Sequence, residues 1–65
     1  MWVARDKDGG LHIFWEKPIR KDGTFEPRNR DIKTRFCDVK NYYKDLSFAH
    51  GAKRCTLFKL LLLWE

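Results

Sequence analysis

The chain has 65 residues, a length at which folding buries only about 60% of the area the unfolded chain exposes, so it accommodates one domain, residues 1–65, with one thin core. Hydrophobic residues make up 43% and charged residues 35%, with three Trp, two Tyr and five Phe, the composition of a folded chain and not a disordered one. Fourteen Lys and Arg against nine Asp and Glu leave a net charge of +5; the length excludes most metabolic-enzyme folds, and no window approaches the roughly 20 apolar residues of a membrane span.

Met1 leads at once into Trp2-Val3-Ala4-Arg5-Asp6, without the basic region and apolar core of about 7–15 residues that a secretory signal presents, so a cytoplasmic location is expected. In that reducing compartment Cys37 and Cys55 read as small apolar core residues and not as a disulfide.

Trp2 to Asp6 and Leu11 to Glu16 are β-prone runs separated by Lys7-Asp8-Gly9-Gly10. Asp8-Gly9 is a preferred pair for a two-residue type I′ turn, which sets Trp2 opposite Trp15, Ala4 opposite Ile13 and Asp6 opposite Leu11. One face then carries Trp2, Ala4, Leu11, Ile13 and Trp15, whereas an odd-length loop would divide that apolar set. Proline lacks an amide hydrogen, so Pro18 closes the second strand. Asp22-Gly23 marks a second turn before a short strand at Thr24-Phe25-Glu26, and Thr34 to Cys37 form a further strand.

Asp38 caps a short helical turn ending near Lys44, followed by a hairpin in which Leu46 to Ala49 pair with a last strand beginning at Lys53. Every position from Leu57 to Trp64 except Lys59 is apolar, so periodicity does not separate strand from helix there. The expected fold is mainly β: a small single antiparallel sheet or open barrel of about five strands with at most one short helix.

The string Trp2-Val3-Ala4-Arg5-Asp6-Lys7-Asp8-Gly9-Gly10-Leu11-His12-Ile13-Phe14, followed by Glu16-Lys17-Pro18, resembles a group of short uncharacterised proteins of gut bacteria and their phages that read W-V-A-R-D-x-D-G-x-L-x-L-F and then K-P. Asp45-Leu46-Ser47-Phe48-Ala49-His50-Gly51 is similar to their second block, while Leu60 to Trp64 departs from their polar alternation. The resemblance implies a small β-rich fold in a bacterial or phage cytoplasm and brings no catalytic residues.

Cys37, Cys55, His12 and His50 are scattered singly, without the close pairing of a structural zinc site, so neither metal nor cofactor is expected. A Cys–His nucleophile lacks an orienting third group, and Asp6 and Asp8 read as turn-capping carboxylates. The glycines lack the frame of a phosphate loop. The chain therefore reads as non-catalytic, with no small-molecule substrate and no membrane partner.

Two binding readings remain. In the first, the protein is an accessory domain of phage or mobile-element type that binds another protein or forms a homodimer through Leu57, Leu61, Leu63 and Trp64, because so small a domain rarely covers both faces of a terminal strand. The alternative is nucleic-acid binding through Arg5, His12, Phe14, Arg28, Arg30 and Arg35, since seven basic residues against three acidic ones concentrate positive charge between Lys17 and Arg35.

Overall fold

The computed structural model of the chain describes residues 1–55. The fold is mainly β, with strands β1 (Trp2–Arg5), β2 (Leu11–Phe14), β3 (Ile19–Lys21), β4 (Thr24–Glu26), β5 (Thr34–Arg35) and β6 (Lys53–Arg54) and one 3₁₀ turn at Phe48–His50. The strands divide into an antiparallel sheet ordered β5-β2-β1-β6 and a two-stranded β3-β4 ribbon, and among the described residues no barrel closes.

The first hairpin takes a different register from the one its Asp-Gly pair predicts. Trp2 pairs with Phe14, Val3 with Ile13, Ala4 with His12 and Arg5 with Leu11. The Asp6 amide donates to the Gly10 carbonyl at 2.8 Å and the Gly9 amide to the Asp6 carbonyl at 2.9 Å, leaving a three-residue loop in which Gly9 has φ 99°. This is the type I turn plus left-handed glycine that an odd-length hairpin uses. Directly paired residues share a face, so the apolar set is split: Val3, Leu11 and Ile13 lie on one side, and Trp2, Ala4 and Phe14 on the other.

Splitting is tolerated because both sides are covered. Val3 and Ala4 are adjacent, point to opposite faces, and are each 0% exposed. Val3 and Leu11 pack with Phe36, Tyr43 and Cys55, while Ala4 and Phe14 pack with Phe25 and, at the margin, Phe48 and Ala52. The ribbon thus covers one face through Phe25, with Phe48 and Ala52 at its margin, and Phe36, Tyr43 and Cys55 cover the other.

The turn at Asp22-Gly23 and the strand at Thr24–Glu26 form as read, and Ile19–Lys21, not read as a strand, completes a second hairpin in which Lys21 pairs with Thr24 and the φ values of 48° and 90° are those of a type I′ turn. Strand β2 stops at Phe14 because the Trp15 and Glu16 amides donate to the Asp31 carboxylate and not to a strand partner. Asp38 does hold a turn, accepting from the Tyr42 amide at 3.0 Å and the Tyr43 amide at 2.6 Å.

The expected hairpin from Leu46 is absent from the described residues: Phe48–His50 is a 3₁₀ turn stopped by Gly51, and β6 pairs with β1 instead. Closing the sheet on β1 satisfies that strand's outer backbone groups, which a local hairpin would leave open. Of the cysteines, Cys55 is buried as expected, whereas Cys37 is exposed. Leu57, Leu61, Leu63 and Trp64 lie outside the described residues.

Candidate interaction surface

Asp6, expected to cap the first turn, instead forms a buried polar anchor and is 5% exposed. Its Oδ1 accepts from the Phe25 amide at 2.9 Å, and its Oδ2 accepts from Lys33 Nζ at 2.8 Å, with His12 Nδ1 at 3.7 Å. Burial pushes this carboxyl up, but the hydrogen bonds from Lys33 and Phe25 and the charges of Lys33 and His12 outweigh it and hold it below the ordinary value of 3.8. The cluster therefore ties the ribbon and the loop before β5 to the end of β1. Asp8 alone behaves as a turn carboxylate, its Oδ1 accepting from the Gly10 amide at 2.8 Å.

Arg5 anchors the opposite side. Its Nε donates to the Leu46 carbonyl at 2.7 Å, one terminal nitrogen to Gly9 at 2.7 Å and the other to Tyr43 at 3.0 Å. Tyr43 in turn donates its hydroxyl to Cys55 Sγ at 3.0 Å; burial first, then the sulfur and the Asp38 charge, push the phenol well above its ordinary range. Both groups hold this second cover in place.

With the interior anchored, several large apolar side chains of the described residues remain outside, Ile19, Val39 and Tyr42 among them, and the two most exposed form a pair. Trp15 is 65% exposed and Ile32 is 66% exposed. Strands β2 and β5 pair His12 with Arg35 and Ile13 with Thr34, and the same register, continued past the ladder, sets Trp15 opposite Ile32. The Asp31 carboxylate links them by accepting from the amides of Trp15 at 3.2 Å, Glu16 at 3.0 Å and Ile32 at 2.8 Å. Its slight burial pushes the carboxyl up, and these three backbone donors more than reverse that. Trp15, Glu16, Asn29, Arg30 and Asp31 line a shallow cleft beside the pair. Such a clamp fixes the backbone beneath an exposed aromatic, which lowers the ordering entropy of binding there.

One cation, Arg30, lines this cleft. Lys17, Arg20, Lys21, Arg28, Arg30 and Arg35 are exposed, and among the described residues the ion pairs are those that Lys33 and His12 make with Asp6. Arg20 is nonetheless occupied, its guanidinium lying 5.3 Å from the Phe25 ring centre and 4.6 Å from that of Phe48 while donating to the Phe48 carbonyl.

The six residues read as a nucleic-acid surface do not come together. Phe14 is 1% exposed and lies inside the core, so its ring presents no face for stacking. Arg5 is turned into its three carbonyl contacts, on the face opposite His12. His12 and Arg35 are paired neighbours on β2 and β5, and Arg28 and Arg30 belong to the exposed connection before Asp31. Trp15 and Ile32 had no motif in the sequence to mark them.

Among the described residues no group of three or more His, Cys, Asp or Glu side chains is placed to hold a metal ion, and no helix is long and apolar enough to cross a membrane. No protein-family model, curated protein or solved structure matches the chain.

Proposed function

We propose that the protein is a non-catalytic interaction module that associates with protein, a second copy of itself being the partner tested first. The observation that carries this reading is the Trp15–Ile32 pair, two large apolar side chains about two-thirds exposed over a backbone clamped by Asp31. Tryptophan in a fixed setting is a common anchor of protein interfaces. The apolar run from Leu57 to Trp64 supplies further sequence of the same character.

Sedimentation across protein concentration tests it, with Trp15→Lys and Leu62→Lys as variants. Association that rises with concentration and is weakened about tenfold by either lysine is expected. Because the chain carries a net charge of +5, added salt should strengthen self-association by screening the repulsion between copies. A chain that stays monomeric at every concentration and salt overturns the self-association.

Exposed cations such as Arg28, Arg30 and Arg35, which have no carboxylate partner among the described residues, favour one second reading, nucleic-acid binding with Trp15 as the stacking ring beside Arg30. Its salt dependence has the opposite sign: affinity for a mixed oligonucleotide falls steeply as salt rises, because phosphate contacts release counterions. No binding at low salt removes it.

A further inference from the structure

We propose that the protein carries a binding site for a multivalent phosphoryl oxyanion, built by Lys17, Arg28 and Arg54 around Trp2. Three separate parts of the chain meet there. The β1–β6 register places Arg54 opposite Trp2, and its guanidinium carbon lies 5.9 Å from the indole ring centre. Lys17, held between the end of β2 and the buried Pro18, brings its Nζ to 5.6 Å from the same ring. Arg28 is drawn alongside by donating its Nε to the Lys17 carbonyl at 2.7 Å, which leaves its terminal nitrogens for another partner.

A cation over an indole explains one such neighbour. Two such heads on one ring lie within about 12 Å of each other and the third is tied to the Lys17 backbone, so their like charges repel, and no carboxylate among the described residues lies within ion-pairing distance of any of the three. An anion placed among the three heads removes that repulsion and gains charge-assisted hydrogen bonds from two guanidinium forks and an ammonium. Several donors spread around one ring suit an extended anion with more than one phosphoryl group. Pyrophosphate and two successive phosphodiesters of a single strand share that chemistry. The site is independent of the Trp15–Ile32 surface, so it stands or falls apart from self-association.

The test is titration of the isotopically labelled full chain with pyrophosphate at low salt, followed by NMR. A saturable shift of the Trp2 indole N–H, with the Trp15 indole unmoved, is expected. Lys17→Gln, Arg28→Gln or Arg54→Gln should each weaken binding about tenfold, while Arg35→Gln, also a loss of one exposed cation, stays within about twofold. Should Arg54→Gln disturb β6, the two loop variants decide. A parallel titration with a short single-stranded oligonucleotide distinguishes the sources: tighter binding with the same variant dependence identifies a polymer backbone, and pyrophosphate binding alone identifies a small phosphate. Absence of a saturable shift with both probes, or equal weakening by Arg35→Gln, overturns the site.

Discussion

The two hairpins contain the same dipeptide and use it differently. Asp22-Gly23 forms a two-residue loop with both residues at positive φ, whereas Asp8-Gly9 occupies a three-residue loop in which only the glycine is left-handed. The ribbon's loop follows local turn chemistry. The first loop answers to its surroundings: the Lys7 amide donates to the Gly23 carbonyl at 2.8 Å, and the Asp6 carboxylate is held by Phe25 and Lys33. Where both faces of a hairpin are covered, alternation no longer distinguishes the parities, and tertiary partners select the register.

The largest expected effects test whether the first hairpin is the structural centre. Phe14→Ala should cost about 3–5 kcal/mol, a large share of the stability of a small domain, read as a loss of cooperative urea unfolding. Phe25→Ala strips the ribbon of its buried side chain; if β1 and β2 keep their dispersed amide spectrum in that variant, the ribbon is a lid and not a co-determinant of the register. Collapse of both hairpins together would instead make them one cooperative unit.

Asp6→Asn separates charge from hydrogen bonding at the junction. With the folded carboxyl held below 3.8, the unfolded chain binds more protons at acid pH, so the Asp6 contribution is intact above that value and fades as pH falls through the folded pKa. The variant should lose about 1–3 kcal/mol near neutrality, as expected for a damaged buried charged hydrogen bond. Its stability should also vary less with pH below 4 than that of the parent. An unchanged acid limb would remove Asp6 as the linking group.

The smallest effects bear on the shared dipeptide itself. Asp22→Gly relieves a positive φ and should be close to neutral, while Asp8→Gly loosens a turn position and removes the bond to the Gly10 amide, costing about 0.5–1 kcal/mol. Gly9→Ala should cost about 1 kcal/mol from backbone strain alone, because an added Cβ meets nothing within 4 Å. Equal responses of the two aspartates in urea titrations would erase the distinction between the loops.

Much of the fold was legible. The β class, the Asp22-Gly23 turn with the strand after it, the strand near Thr34 and the Asp38-held turn all follow from local chemistry. The hairpin expected at Leu46 to Ala49 was not legible, because β6 takes its partner from β1, some 50 positions away in the chain. Site residues were harder still. Phe14 and Trp15 are neighbours of like chemistry, yet Phe14 ends the paired strand inside the core while Trp15, just past it and tied to Asp31, lies outside.

By itself the sequence determined that a chain this small and aromatic-rich folds as short β-strands, where it turns at Asp22-Gly23, and that its positive charge gathers between Lys17 and Arg35. Only the tertiary structure decided which side chains are buried and which cations converge on Trp2. Turns and strand propensity depend on a few neighbouring residues. Face assignment depends on register, and register here is settled by Phe25, Lys33 and the Phe36 to Cys55 segment arriving from elsewhere to cover both sides of one sheet.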